Sequence, residues 1–202
     1  MTKIKLCGLS RPCDIGAANE LKPDYIGFVF APKSKRYVTP EKAMELKQML
    51  LPEIQSVGVC VNEKPETVVK LLQDGTIDIA QLHGAEDEEY IIQLRQLTDK
   101  PIIKAFRIET ASDIEKALQS TADYLLLDSR AGTGTVFDWK LIQNIKRPYF
   151  LAGGLDADNA AEAVNTLRPY ALDVSSGIET SGLKDKSKMA AFVSAVRKEE
   201  EK

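Results

Sequence analysis

The stretch from residue 149 to residue 177, YFLAGGLDADNAAEAVNTLRPYALDVSSG, contains one complete strand-helix-strand unit. Its two apolar runs, Tyr149–Leu151 and Ala171–Val174, have the length and composition of buried strands. Between them, apolar residues recur from Ala160 to Leu167 at the spacing of one helix face. Two strands joined by a crossover helix lie parallel in one sheet, so this stretch predicts a parallel α/β fold.

The same unit recurs along the whole chain. Short apolar runs alternate with amphipathic segments at about the length of one β-α unit. The eight candidate strands are Ile4–Cys7, Tyr25–Phe30, Ser56–Val61, Ile77–Leu82, Ile102–Ala105, Tyr124–Leu127, Tyr149–Leu151 and Ala171–Val174. Such strands indicate a parallel sheet covered by helices. Eight units without a break in composition predict one domain over residues 1–202, a (β/α)8 TIM barrel; an open doubly wound sheet of the same units is the structural alternative.

Local signals mark where several connecting helices begin. Thr39 places a hydroxyl at an N-cap position and Pro40 follows in the first turn, a strong start signal. Asn62 and Pro65 predict a similar start for the helix after the third strand. The weakest helical pattern follows the sixth strand and covers Trp139–Ile145, so the sixth unit is the least well defined.

Composition and charge exclude several classes of function. The chain has 202 residues and a formal net charge of -3, which gives no basic surface for nucleic acid and no attraction to an anionic membrane. No apolar run is long enough to span a bilayer, and the first residues lack the apolar core of a signal peptide. Three cysteines in no close pair and the single His83 offer no familiar metal-ligand spacing. We therefore expect a cytoplasmic protein without a metal site.

Two candidates for catalysis stand at strand ends, because functional residues of such barrels gather at the carboxyl ends of the strands. Cys7 ends the first strand. It is either a small buried residue or a thiolate base, whose pKa must then fall from about 8.5 towards neutrality. Asp128 follows four apolar positions of the sixth strand, either as a reactive carboxylate or as a helix cap or loop anchor. The glycine-bearing segment after it, residues 130–135, is suited to closing over a ligand.

The loops after the last two strands predict a phosphate site. Gly153 and Gly154 follow the seventh strand, and Ser176 and Gly177 follow the eighth. Glycine at a strand-to-helix turn lets backbone N–H groups approach a phosphate. Two such loops in these positions match the standard phosphate site of barrels.

Two more residues are candidates for contacting the rest of a substrate. Arg36 closes a basic loop after the second strand, which is either solvated or receives a carboxylate through the bidentate guanidinium. His83 ends the fourth strand, either as a polar wall of the pocket or as a structural imidazole.

Several groups of residues, in chain order, carry a resemblance to a known family. They are Lys5-Leu6-Cys7-Gly8, Gly27-Phe28-Val29-Phe30 with Ser34-Lys35-Arg36, Gly58-Val59-Cys60-Val61-Asn62, Gln81-Leu82-His83-Gly84, Gly132-Thr133-Gly134 with Phe137-Asp138-Trp139, Ala152-Gly153-Gly154-Leu155 and Asp173-Val174-Ser175-Ser176-Gly177. Together they resemble the motifs of the phosphoribosylanthranilate isomerases over the whole chain. Two departures are visible: Thr135-Val136 stands where members often have lysine, and the first loop has Leu9-Ser10-Arg11 rather than the commoner isoleucine-threonine.

The resemblance implies a specific reaction in tryptophan biosynthesis, the Amadori rearrangement of N-(5-phosphoribosyl)anthranilate to the carboxyphenylamino-deoxyribulose phosphate. It implies that Asp128 is the general acid and Cys7 the general base. Arg36 would hold the anthranilate carboxylate, with His83 in the same part of the pocket, and the glycine loops would hold the phosphate. The implied partner is this small phosphorylated substrate, with no cofactor; a monomer and a homodimer both remain open.

Three other functions compete with this interpretation. A related histidine-pathway isomerase resembles this enzyme in chemistry but uses two aspartates, and Cys7 in place of the first acid argues against it. An enzyme with both activities is a further alternative. A catalytically silent barrel that binds a phosphorylated metabolite is the third, and the presence of both Cys7 and Asp128 at strand ends argues against it.

Overall fold

Eight parallel strands, in the order β1 to β8, close into a barrel in the computed structural model. The structure describes residues 1–128, 139–143 and 145–198. The strands are β1 Lys3–Cys7, β2 Tyr25–Val29, β3 Gln55–Cys60, β4 Ile79–Leu82, β5 Ile102–Arg107, β6 Tyr124–Asp128, β7 Tyr149–Ala152 and β8 Ala171–Val174. Because β1 pairs with β8, with Lys5 opposite Asp173, the ring is closed. The predicted (β/α)8 TIM barrel is confirmed, and the open-sheet alternative is wrong.

Helices cover the outside of the barrel. In the described ranges they are α1 Pro12–Leu21, α2 Pro40–Gln48, α3 Pro65–Gln73, α4 Glu88–Leu97, α5 Ala111–Gln119, α6 Ala160–Leu167 and α7 Lys186–Lys198. A two-stranded hairpin, β9 Glu179–Thr180 with β10 Leu183–Lys184, stands between β8 and α7. Among the helices described, none has both the length and the apolar character needed to cross a membrane.

The predicted strands all occur, with ends that differ from the prediction by up to two residues. The largest differences are at β4, which begins at Ile79 rather than Ile77, and at β5, which extends past Ala105 to Arg107. β6 includes Asp128 as its last residue. This places the candidate carboxylate on the strand itself rather than in the loop that follows.

The helix-start predictions have mixed outcomes. Thr39 is the N-cap of α2, where its side chain accepts a hydrogen bond from the backbone N–H of Lys42 at 3.2 Å. The prediction for Asn62 is wrong, because the N-cap of α3 is Lys64. Asn62 instead has φ +53°, and its side-chain oxygen accepts a hydrogen bond from the Ala85 N–H at 2.7 Å. Its amide therefore joins two loops at the carboxyl end of the barrel.

The segment after β6 is only partly described. The predicted helix over Trp139–Ile145 is a short 3-10 helix, Trp139–Ile142. The glycine-bearing segment 130–135, interpreted above as a closing loop, lies outside the described residues.

Inward-pointing side chains of the strands fill the amino-terminal half of the barrel and leave the carboxyl end open. Successive strand residues point to opposite faces, so every second residue enters the barrel. Most of the apolar inward residues form one buried cluster: Tyr25, Val57, Ile79, Ile103, Ala105, Leu126, Phe150, Ala152 and Ala171. Cys7, Val29 and Val59 form a separate small cluster that lines the cavity at the carboxyl ends. Since the amino-terminal end is closed by packed side chains, the inward residues at the carboxyl ends are the ones available for chemistry.

Phe150 is the residue of this cluster whose truncation is expected to destabilise the fold most. Its ring is fully buried and lies 5.4 Å from the ring of Tyr25 and 5.5 Å from that of Tyr170. Phe150→Ala leaves a cavity that packed neighbours cannot fill, so the free energy of unfolding should fall by about 3–5 kcal/mol. Urea unfolding followed by circular dichroism measures this, with the exposed Ile92→Ala as control. A loss equal to that of the control would contradict the packing role.

Candidate active site

A cavity of about 250 Å³ opens at the carboxyl ends of the strands. Its lining includes seven predicted site residues: Cys7, Arg36, His83, Asp128, Gly153, Gly154 and Ser176. These residues come from different β-α units, so the closed barrel brings together what the sequence keeps far apart. Within the described ranges, no three His, Cys, Asp or Glu side chains are grouped so that they could hold a metal ion.

Gly177 is the predicted residue that does not line the cavity. A Cβ at this position would lie 1.9 Å from the carbonyl oxygen of Leu155. Gly177 therefore allows the loops after β7 and β8 to contact each other through their backbones. It shapes the predicted phosphate site without lining the cavity itself.

Cys7 lies beside a buried ion pair. Lys5, two residues earlier and on the same inward face, donates from Nζ to Asp173 Oδ1 at 2.9 Å, and its side chain is fully buried. Burial works against the charge of Lys5, but Asp173 and Cys7 outweigh it and the pKa of Lys5 is raised. For Cys7, burial raises the pKa of the thiol, while the cations of Lys5 and Lys184 act in the opposite direction. The positive charge that the sequence interpretation required is present, but burial, together with the carboxylate of Asp173, outweighs it, so the pKa of the thiol is raised.

Asp128 faces His83 across the cavity. The carboxylate Oδ2 lies 3.7 Å from His83 Nε2. On its other side, the His83 ring has Nδ1 2.8 Å from the amide nitrogen of Gln81. When this amide donates, the neutral imidazole carries its proton on Nε2, towards Asp128. The predicted wall residue His83 is thus an oriented neighbour of the candidate acid.

Gln81 is a buried polar residue at an inward position of β4. Its side chain is fully buried and lines the cavity. Among the residues that the structure describes, its Oε1 contacts no hydrogen-bond donor. A buried acceptor of this kind is costly unless a ligand or water satisfies it. Gln81 therefore belongs to the polar part of the candidate site.

Arg36 reaches the cavity across the first loop of the barrel. Gly8 has φ +82°, and a Cβ there would lie 2.4 Å from Arg36 Cδ. The guanidinium makes a bidentate ion pair with Glu179, with Nε–Oε1 at 2.5 Å and Nη2–Oε2 at 2.9 Å. Glu179 is also 2.6 Å from the ammonium of Lys184. Arg36, the predicted ligand of a substrate carboxylate, is thus already paired with a carboxylate of the chain itself.

The loops after β7 and β8 have the backbone conformation that close approach requires. Gly153 and Gly154 have φ values of +99° and +65°, which other residues rarely adopt. The second loop begins with Ser175, whose hydroxyl donates to the Cys7 carbonyl at 3.2 Å, and continues as a short 3-10 helix that starts at Ser176. These loops place backbone and hydroxyl groups beside Cys7.

Comparisons with known proteins agree with this geometry. The sequence model of the family described as "N-(5'phosphoribosyl)anthranilate (PRA) isomerase" matches residues 4–195. This chain belongs to that family. The curated N-(5'-phosphoribosyl)anthranilate isomerase of Endomicrobium trichonymphae is 46% identical to it, over 98% of this chain and 99% of the relative. The predicted enzyme class, an isomerase, is confirmed.

Solved structures of PRA isomerases share the barrel. One is a complex with reduced 1-(o-carboxyphenylamino)-1-deoxyribulose 5-phosphate, with a TM-score of 0.87 and 35% identity, covering 98% of this chain and 100% of the other. Another, of monomers generated from the dimeric Thermotoga maritima enzyme, has a TM-score of 0.85 and 34% identity, covering 98% and 99%. PRA isomerases with this fold therefore include one described as dimeric.

Several polar residues in and around the cavity were not predicted from the sequence. Lys5, Gln81 and Asp173 are polar residues at inward positions of apolar strands, a signal that could have found them. Glu179 and Lys184 belong to the hairpin after β8 and have no such signal. Their partner Arg36 is 143 residues away from Glu179 in the chain, so only the closed barrel reveals the contact.

Proposed function

We propose that this chain catalyses the Amadori rearrangement of N-(5-phosphoribosyl)anthranilate to 1-(2-carboxyphenylamino)-1-deoxyribulose 5-phosphate, a step of tryptophan biosynthesis, with Asp128 as general acid and Cys7 as general base. The observation that carries the proposal is that both side chains line one cavity together with the glycine loops. A PRA isomerase structure holding a reduced form of this product supports the choice of substrate.

Asp128 acts in the first step. Its carboxyl group protonates the ring oxygen of the ribose while the nitrogen lone pair forms a double bond to C1. The bond between C1 and the ring oxygen then breaks, which gives an open-chain protonated Schiff base. The carboxylate left behind faces His83 Nε2, whose hydrogen stabilises the new negative charge electrostatically.

Cys7 acts in the second step. Its thiolate removes the proton from C2, and the electron pair moves to the iminium nitrogen through C1, which gives a neutral enolamine. The enolamine becomes the ketone when C1 gains a proton and the C2 hydroxyl loses one. One turnover thus leaves Asp128 ionised and Cys7 protonated, so both must exchange a proton before the next.

The two catalytic groups need opposite protonation states. Asp128 must start protonated and Cys7 must start ionised, although burial raises the pKa of the thiol. Lys5 and Lys184 are the groups that lower it, and both are almost fully buried, where their charge acts with little screening. We infer that these two cations lower the pKa of the thiol enough for the thiolate to form.

The substrate is held at both ends while the middle reacts. We assign the phosphate to the loops with Gly153, Gly154 and Ser176, shaped by Gly177, and the anthranilate carboxylate to Arg36 with His83 nearby. Anchoring both ends keeps the reacting atoms at a fixed distance from the acid and the base. We expect the enzyme to work as a monomer or homodimer in the cytoplasm, without a cofactor, on this small phosphorylated substrate.

Anthranilate fluorescence tests the proposed function directly. Freshly generated phosphoribosylanthranilate mixed with the purified chain should lose fluorescence at a rate proportional to enzyme concentration. Wild-type protein heated until unfolded is the control for spontaneous decay. If the native chain binds inorganic phosphate but causes no decay, the fold and phosphate site remain and the isomerase activity is wrong; a silent barrel or another sugar-phosphate isomerase then replaces it.

A further inference from the structure

We propose that Glu179 and Lys184 form a clamp that aims Arg36 at the substrate carboxylate, which makes the β9–β10 hairpin the specificity-determining element of the site. This inference rests on the proposed function, since it assumes that Arg36 receives the anthranilate carboxylate. In this role Glu179 and Lys184 are positioning residues, because they act on the substrate through Arg36; Lys184 also lowers the pKa of the Cys7 thiol.

The Arg36–Glu179 geometry leaves one edge of the guanidinium for a ligand. Glu179 accepts from Nε at 2.5 Å and from Nη2 at 2.9 Å. A guanidinium has five N–H donors in a fixed plane, so three remain that no described residue accepts. Two of these, one on Nη1 and one on Nη2, point in parallel and form a second bidentate fork. Because Arg36 lines the cavity, this fork matches a planar carboxylate there.

Lys184 gives the cluster its net charge. Its Nζ lies 2.6 Å from Glu179 Oε1 and its side chain is almost fully buried. Burial raises the pKa of Glu179, but the bonds from Arg36 and Lys184 outweigh this and the pKa is lowered, so the carboxylate stays ionised. Arg36 and Glu179 alone would form a neutral pair. Burial lowers the pKa of Lys184, while Glu179 and Cys7 act in the opposite direction. With its ammonium protonated, the three groups carry one positive charge, which a bound carboxylate can neutralise.

The clamp is fixed from both sides. Lys184 also donates to the Ser175 carbonyl at 2.8 Å, which ties it to the loop beside the phosphate site. The Lys184 carbonyl accepts a hydrogen bond from Arg11 at 2.7 Å. Arg11 is itself held by the carboxylate of Asp14. The hairpin therefore cannot shift without disturbing two other loops.

A competing interpretation makes the opposite prediction. If Glu179 only occupied Arg36, the substrate carboxylate would have to displace it, and removing its charge would tighten substrate binding. If Glu179 positions Arg36, the same change frees the guanidinium to rotate and weakens binding. The sign of the change in affinity separates the two.

Glu179→Gln is the decisive variant, because it keeps the size of the side chain and one acceptor oxygen. We expect its KM for phosphoribosylanthranilate to rise about tenfold while kcat changes less than about threefold, since the lost interaction is one of binding. Lys184→Met should raise KM in the same direction and should also lower kcat near neutral pH, because it removes one of the two cations that lower the pKa of the Cys7 thiol. Lys186→Met removes a neighbouring cation that pairs with Glu20 at the surface and should leave both constants unchanged.

Calorimetry with two ligands separates positioning from a general loss of structure. The ligands are the reduced carboxyphenylamino product and its phenylamino counterpart without the carboxylate. Glu179→Gln should weaken binding of the carboxylate-bearing ligand about tenfold and hardly change binding of the other. The preference of the protein for the ligand with the carboxylate should therefore become smaller. Equal weakening of both ligands, or tighter binding of the first, would overturn the clamp. Binding needs no turnover, so a wild-type chain that fails the fluorescence assay would refute the proposed function without deciding this test.

Discussion

Cys7→Ser is expected to bind the reduced product with nearly wild-type affinity while its kcat falls by about 10²–10⁴-fold, the usual contribution of a general base. The hydroxyl is close in size to the thiol, so the cavity keeps its shape. A serine hydroxyl does not ionise in the range where a thiol does, so no base remains to take the proton from C2. Fluorescence decay measures kcat, and calorimetry with the reduced product measures affinity.

Cys60→Ser is the matched control for this variant. Cys60 is also buried at the end of a strand, but it belongs to the apolar core outside the cavity, and burial raises its pKa to about 12. We expect Cys60→Ser to lower stability and to keep kcat. Near-normal turnover in Cys7→Ser, or an equal loss in both variants, would remove Cys7 from the mechanism.

The pH dependence of the wild-type enzyme follows from the same group. The active form of Cys7 is the thiolate, so kcat/KM should increase as the pH rises through the pKa of the thiol and be lost as it falls below. Burial and the carboxylate of Asp173 move this ascending limb to higher pH, and Lys5 and Lys184 move it back. The small residual activity of Cys7→Ser should lack the limb. An unchanged pH profile in that variant would assign the ionisation to another group.

The alternation of strand residues explains how much of the site the sequence contains. In a closed barrel every second strand residue points inward, and those at the carboxyl end meet in one cavity. Cys7 and Asp128 could therefore be placed from their strands alone. The same rule applies to Lys5 and Asp173, whose charges interrupt apolar strands and which lie opposite each other in the β1–β8 pairing. A charge at an inward position of a buried strand is thus a sequence signal for a site.

Contacts that depend on loop conformation could not be predicted in this way. Asn62 is a residue type that often caps helices, but its side chain contacts the backbone of the next β-α loop, and Lys64 occupies the N-cap position of α3. The contact of Arg36 with Glu179 depends on a hairpin with no apolar periodicity. For such residues the sequence specifies the type of chemistry, and only the packed loops specify the partner.

Asp128→Asn is expected to lower kcat by about 10²–10⁴-fold, because the amide has no acidic proton to give to the ring oxygen. Asp128→Ala should lose as much, which would show that the carboxyl proton and not the shape of the side chain is needed. The affinity for the reduced product should be retained in both, since this ligand has no ring to open. Fluorescence decay and calorimetry measure the two effects separately.

Asp123→Asn is the control, because Asp123 lies at the opposite end of β6 from Asp128. Asp123 precedes β6, where its carboxylate accepts from the Ile102 N–H at 2.7 Å and pairs with Arg95. At this end of a barrel polar contacts serve stability, so Asp123→Asn should lower the urea midpoint and leave kcat unchanged. For Asp128→Asn the two effects should be reversed: kcat should fall and the urea midpoint should stay unchanged. A fall in ligand affinity as large as the fall in kcat would instead make Asp128 a binding residue, and the acid would then have to be sought among the other groups of the cavity, beginning with His83.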